Sequence, residues 1–195
     1  MKDFKIVWSA RSECGPSRKK NEDTIFPPIS GSSKSPFKAA VCDGLGGHVD
    51  GDVASKIAAD TLLKEITDLN QIITEANNNI LEYQEKNPSS LGMGTTMTAI
   101  SIDSDALMKI GHVGDSRCYV LSDRNLIKVT EDQNVPGYQN VLKQALGSNE
   151  KLNIQEVDFQ LQIGDVVFLC SDGLYNEVGE EYIKKKMQDG ISADT

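Results

Sequence analysis

Two short apolar runs in this chain end on the same three residues. Ala39-Ala40-Val41-Cys42 leads into Asp43-Gly44-Leu45-Gly46-Gly47-His48, and Val166-Val167-Phe168-Leu169-Cys170-Ser171 leads into Asp172-Gly173-Leu174. Short apolar runs bounded by turn residues are the pattern of buried strands. Central strands would carry Asp43 and Asp172 to strand ends, where a carboxylate can face a cleft. Two carboxylates brought together repel, and they need a proton or a cation between them. A glycine beside each lets the backbone turn and brings its carbonyl close to a ligand. Oxygen donors of this kind suit hard metal ions. Asp-Gly is also a common turn dipeptide, but its recurrence after matched apolar strands favours a site. Upstream, Arg18-Lys19-Lys20-Asn21-Glu22-Asp23 sets cations before acids. This is either a solvated loop with a local ion pair or an anion-binding arginine beside a metal-binding acid. Arginine suits phosphate because its planar fork binds two oxygens at once. Asp115, between Gly114 and Ser116, is either a turn former or a further ligand.

The elements that must position these groups follow from periodicity. An opening strand is expected over 4–11 and a surface connection over 27–36. Ala54, Ile57, Ala58, Thr61 and Leu62 recur at helical spacing, and a second helix is expected over 69–86 with Leu69, Ile72, Ile73, Ala76, Ile80 and Tyr83 on its buried stripe. The two helices are expected to lie antiparallel and to serve the fold alone. Strands follow over 95–102, 107–113, 117–121 and 126–130, with Ser122-Asp123-Arg124-Asn125 as a hairpin turn. A loop with one short helical turn is expected over 132–147, then strands over 152–159 and 166–170 and a last helix over 180–188. Helices inserted between groups of strands predict an α+β sandwich with helices covering the sheets.

Composition narrows the function classes. A net charge of −9 argues against a nucleic-acid binder, which needs a basic surface. No apolar run approaches the roughly 20 residues of a membrane helix, and the N-terminus lacks the apolar core of a signal peptide. A cytoplasmic location and no membrane partner are expected. Cys42, Cys118 and Cys170 lie in apolar runs as small buried hydrophobes, so neither a disulfide framework nor a zinc site is expected.

The ordered set Arg18, Asn21-Glu22-Asp23, Asp43-Gly44-Leu45-Gly46-Gly47-His48, Gly94-Thr95-Thr96, Gly114-Asp115-Ser116-Arg117, Ala145-Leu146-Gly147 and Ser171-Asp172-Gly173-Leu174 closely resembles the bacterial metal-dependent (type 2C) protein serine/threonine phosphatases. Each motif is weak alone, but the ordered set is specific and spans nearly the whole chain. The resemblance implies a single phosphatase domain over 1–195, built as a central sandwich of two antiparallel sheets flanked by helices. It implies two Mn²⁺ or Mg²⁺ ions, with a weaker third. Asp43 would bridge the two metals, the Gly44 carbonyl would complete one site and Asp172 would bind the other. Asp23 would hold water on the metals, and Asp115 would help the third ion. Arg18 would bind the substrate phosphate, and His48 would act as general acid. His112, inside a strand, is read as structural.

Those residue types suit the chemistry. A phosphoserine ester leaves as a poor alkoxide, so a nearby acid helps. Paired metals activate water for in-line displacement, so no phospho-enzyme is expected. Cys118 and Arg124 carry the spacing of cysteine-dependent phosphatases, but the residues between them lack the glycines of a phosphate-cradling loop. The chain also departs from its relatives. It has no match after Gly190 to their Asp-Asn motif, which supplies another metal ligand and leads into a last strand, so it is read as C-terminally incomplete. Its flap segment from Asp132 to Ala145 is short, and Gln133 replaces a frequent histidine. The implied partners are phosphorylated Ser/Thr proteins and a cognate Ser/Thr kinase, with the phosphatase a monomer. The competing readings are a catalytically weak phosphoprotein-binding module and a phosphatase acting on a regulator of transcription factors.

Overall fold

The computed structural model describes residues 4–16, 18–46, 49–148 and 151–190. Among these residues twelve strands and three α-helices follow in order. They are β1 (Lys5–Trp8), β2 (Asp23–Phe26), β3 (Gly31–Lys34), β4 (Phe37–Asp43), α1 (Gly51–Thr61), α2 (Leu69–Lys86), β5 (Met97–Ile102), β6 (Leu107–Val113), β7 (Arg117–Ser122), β8 (Asn125–Lys128), β9 (Asn134–Val135), β10 (Tyr138–Leu142), β11 (Gln155–Gln160), β12 (Val166–Cys170) and α3 (Asp172–Asp189). One sheet has five strands in the order β11-β6-β5-β4-β2, and a second has three in the order β12-β7-β8; two-stranded ribbons pair β1 with β3 and β9 with β10. Every pairing between these strands is antiparallel.

Period-two alternation builds the layers. Ala40, Cys42, Met97 and Ala99 pack with α1 and α2 on one face of the large sheet. Phe37, Ile100, Ile102, Met108 and Ile110 point the other way, onto Cys118 and Val120 of β7 and the partly buried Val167 and Leu169 of β12. On the outer face of the small sheet, Tyr119, Leu121 and Cys170 meet Tyr175, Ile183 and Met187 of α3. The result is the expected α+β sandwich, layered helix, sheet, sheet, helix.

α2 begins where Asp68 accepts a hydrogen bond from the Asn70 N–H, and its buried stripe is Leu69, Ile72, Ile73, Ala76 and Ile80. α1 ends against a lysine. Lys38 Nζ donates to the carbonyls of Leu62 (3.3 Å), Lys64 (2.9 Å) and Ile66 (2.7 Å), where a cation suits the negative end of a helix.

Several expectations change. The connection over 27–36 contains β3, which pairs with β1. The segment over 132–147 forms the β9–β10 hairpin rather than a helical turn. β12 is not central: it pairs with β7 and stands at the end of its sheet. The last helix starts eight residues earlier than predicted, at Asp172, and kinks at Gly179, whose φ is 72°. Among the described residues no helix is long and apolar enough to cross a membrane.

Candidate active site

Asp43 closes β4, an interior strand, and Asp23 opens β2 beside it; the register sets Asp23 directly opposite Asp43. Two consecutive threonines hold the backbone at Asp43. The Asp43 N–H donates to Thr96 Oγ1 (3.0 Å), while its carbonyl accepts from the Thr96 N–H (2.8 Å) and from Thr95 Oγ1 (2.9 Å). Thr95 exchanges backbone hydrogen bonds with Leu146 (3.1 and 2.9 Å), and Thr96 Oγ1 meets Ser116 Oγ at 2.9 Å. Gly94-Thr95-Thr96, Ala145-Leu146-Gly147 and Gly114-Asp115-Ser116 are thus mutually bonded supports of one strand end.

The glycines after Asp43 have a steric reason. The Gly44 N–H donates to the Glu22 carbonyl (3.1 Å), and a Cβ on Gly44 would lie 2.3 Å from the Gly51 carbonyl oxygen. A Cβ on Gly46 would lie 2.6 Å from Nη1 of Arg18. The exposed Arg18 side chain therefore lies against the glycine turn, and Arg18, Asp23, Asp43, Gly44, Ser171 and Asp172 all border one cleft of about 1940 Å³.

Asp172 reaches this cleft from the second sheet, in the first turn of α3, where an acid suits the helix N-terminus. Just before it, Ser171 Oγ donates to Asp23 Oδ2 (2.8 Å) and ties the two sheets together at the site. Asp115 is buried. Its Oδ2 accepts from Asn134 Nδ2 (3.4 Å), and its carbonyl accepts from the Tyr175 hydroxyl (3.2 Å). It does not line the cleft, and it acts on the other carboxylates through its charge. His48 lies outside the described residues.

The electrostatics are those of carboxylates gathered close together. Burial, then the charges of Asp23 and Asp172, push Asp43 far above the ordinary carboxylate range. Burial and the charge of Asp172 push Asp115 up to about 6. Among the described residues no three His, Cys, Asp or Glu side chains converge into a closed metal cage. A small hard cation that keeps several waters needs only one or two carboxylates, so Asp43 and its neighbours fit such an ion. The crowded charge around Asp43 is what a cation relieves.

His112 and the cysteines stand apart from this chemistry. His112 is fully buried, with Nδ1 2.8 Å from Thr98 Oγ1 and Nε2 3.1 Å from the Glu131 carbonyl, and burial lowers it to about 4. Cys42, Cys118 and Cys170 are buried free thiols, and burial raises Cys118 to about 12. Arg124 sits in the β7–β8 turn with φ 65°, so Cys118 and Arg124 form no phosphate loop. Gln133 also turns out to be a tie. Its Oε1 accepts from the Gly114 N–H (2.9 Å) and from Gln144 Nε2 (2.8 Å), holding the β9–β10 segment to the Asp115 turn. Sequence reading gave Ser171, Thr95, Thr96 and Gln133 no such work; hydroxyls and amides beside the acids were the available signal.

This layered sandwich, with acids gathered between the ends of its two sheets, is the architecture of a known enzyme class. The chain matches the Protein phosphatase 2C family over residues 16–192 and belongs to it. It is similar to the serine/threonine phosphatase stp of Listeria innocua, 33% identical over 94% of this chain and 85% of that protein. It is 31% identical to the serine/threonine protein phosphatase PstP of Mycobacterium tuberculosis, over 94% of this chain and 39% of the longer relative. The crystal structure of the M. tuberculosis phosphatase superposes with a TM-score of 0.83 at 27% identity, covering 98% of this chain and 88% of that one. A PstP catalytic domain in complex with 2 manganese ions superposes with a TM-score of 0.82 at 29% identity, covering 95% and 86%. The chain is a protein serine/threonine phosphatase.

Proposed function

We propose that this chain, a single phosphatase domain, hydrolyses phosphoserine and phosphothreonine in proteins by a metal-dependent, single-displacement route and so opposes a Ser/Thr kinase. The observation that carries the reading is the half-buried Asp43, set opposite Asp23 and within reach of the Asp172 charge. Asp43, the Gly44 carbonyl and Asp172 would hold the Mn²⁺ or Mg²⁺ ions, with Asp43 shared between them. Asp115, behind the cleft wall, would favour a third, weaker ion through its charge. When bound, the ions supply an activated water and neutralise charge on the phosphoryl oxygens. Asp23, steadied by the Ser171 hydroxyl (2.8 Å), would orient the attacking water. Arg18, beside the glycine turn that follows Asp43, takes two phosphate oxygens in its fork. Water oxygen bonds to phosphorus as the serine or threonine oxygen leaves, and His48 gives the leaving oxygen its proton. No side chain is phosphorylated on the way. The enzyme acts as a cytoplasmic monomer.

The test is phosphate release from a phosphothreonine peptide across a Mn²⁺ titration with a chelator control. Release that rises with Mn²⁺ and stops with chelator supports the reading. A folded sample that binds the peptide through Arg18 and releases nothing at millimolar Mn²⁺ would instead be a phosphoprotein-binding module.

A further inference from the structure

Arg117 is the first residue after the Gly114-Asp115-Ser116 turn, and it faces protein rather than the cleft. Its Nε lies 3.0 and 3.2 Å from the Asp132 carboxylate oxygens, and its Nη2 donates to Asp132 Oδ2 at 2.6 Å. Nη1 donates to the Tyr119 hydroxyl (3.0 Å) and Glu180 Oε1 (3.4 Å). The guanidinium carbon sits 3.5 Å from the centre of the Tyr175 ring. Tyr119 donates onward to Glu180 (3.0 Å), and Tyr175 donates to the Asp115 carbonyl (3.2 Å).

One mostly buried cation therefore holds three separate segments. Asp132 leads into the β9–β10 hairpin. Tyr175 is one turn from Asp172, at the start of α3. Glu180 lies just beyond the Gly179 kink of the same helix. The two ends of α3 beside the kink meet at Arg117, and the first of them also bonds to the Asp115 backbone. A planar fork stacked on a ring can satisfy all of these at once, and an ammonium cannot.

We propose that Arg117 is a positioning residue for the metal-binding carboxylates. It sets the spacing between Asp115 and the Asp172 end of α3, and it locks both to the flap hairpin at Asp132. The proposal rests on the metal-dependent reading above. Groups that orient ligands without touching the metal change metal affinity rather than substrate binding.

The test compares wild type with Arg117→Met, Arg117→Lys and Tyr175→Phe, and with Lys56→Ala, an exposed ion-pair residue on α1, as control. Mn²⁺ binding to metal-free protein is measured by calorimetry, beside p-nitrophenyl phosphate turnover and thermal unfolding in chelator. Arg117→Met should weaken the weakest Mn²⁺ site by about tenfold or more. The Mn²⁺ needed for half-maximal turnover should rise in step. At saturating Mn²⁺, KM for p-nitrophenyl phosphate should stay within about twofold, because Arg18 is untouched. Arg117→Lys should keep the charge and lose the fork, giving an intermediate effect. Tyr175→Phe removes only the bond to the Asp115 carbonyl, so it should shift Mn²⁺ affinity in the same direction by less. A lowered melting temperature with unchanged Mn²⁺ affinity in Arg117→Met would overturn the proposal. If that variant does not fold, unchanged Mn²⁺ affinity in both Arg117→Lys and Tyr175→Phe would overturn it equally. A wild-type protein that binds no Mn²⁺ would instead remove the metal-dependent reading itself, and this inference with it.

Discussion

Asp23 stands directly across the β2–β4 ladder from Asp43. The fold thus sets two carboxylates side by side on adjacent strands, a placement that costs free energy unless a cation or proton is present. That relationship gives Asp43→Asn two effects of opposite sign. Metal-dependent turnover should vanish at every Mn²⁺ concentration, because the variant lacks the ligand proposed to be shared by the ions. In chelator, the same variant should resist urea better than wild type, because the folded protein no longer has to hold a carboxyl whose ionisation burial, Asp23 and Asp172 all oppose. Urea unfolding and phosphate release, measured side by side, check both. A variant less stable than wild type in chelator would count against the crowding.

The two glycines after Asp43 should separate folding from substrate binding. Gly44→Ala places a Cβ against the Gly51 backbone, which cannot yield, and should abolish soluble expression or lower the melting temperature steeply. Gly46→Ala meets only the tip of Arg18. It should leave the melting temperature nearly unchanged and raise KM for a phosphopeptide by tenfold to a hundredfold, on the order expected for a misplaced anchor.

His48→Ala should slow a phosphoserine peptide far more than an aryl phosphate, whose leaving group needs little protonation. Equal losses on the two substrates would argue against its role as the acid.

His112 gives the fold a pH dependence of its own. The unfolded chain binds the imidazole proton near 6.5, and the folded protein only near 4. Between those values the unfolded state holds more protons, so this stabilisation is present above 6.5 and is lost as pH falls toward 4. The full loss amounts to about 3 kcal/mol. The charges of Asp132 and Lys128 act on the ring in opposite directions and are smaller than the effect of burial. Urea unfolding at pH 7 and pH 4.5, for wild type and His112→Asn, isolates this contribution from that of the carboxylates. Identical pH slopes in the two proteins would contradict it.

Lys38→Met removes three charge-assisted bonds to the carbonyls that follow α1. It should cost about 2 kcal/mol in urea unfolding and leave Mn²⁺ dependence as in wild type. An unchanged urea midpoint would show that water replaces the lysine without loss.

Long periodic elements were legible in the sequence, while short polar ones were not. α2 and β6 have the predicted ends, because five turns of 3.6-residue spacing, and a seven-residue run closed by polar turns at both ends, leave little choice. β3 reads Gly-Ser-Ser-Lys and carries no apolar signal; its order comes from pairing with β1. The β9–β10 hairpin is held by Gln133 and its neighbours rather than by a core. α3 was cut short because Gly173 and Gly179 interrupt its pattern, although Tyr175 and Ile183 on either side of the kink are buried. At the site, Asp43 and Asp172 could be picked out individually by the apolar runs before them. That Asp23 faces Asp43 depends on strand register, which a four-residue strand does not encode on its own.

The interior position of β4 also divides the cleft by how readily each side can open. β4 is hydrogen-bonded to β5 on one side and β2 on the other, so its amides are positioned to exchange with solvent only when the whole sandwich unfolds. Arg18 hangs on an exposed loop whose backbone N–H is held by a bond to Gly15 (3.0 Å), a segment of the kind that opens locally at little free-energy cost. The loop that carries Arg18 can therefore open and re-form many times while the strand end that carries Asp43 keeps its geometry, so on the proposed mechanism product can depart without Asp43 moving.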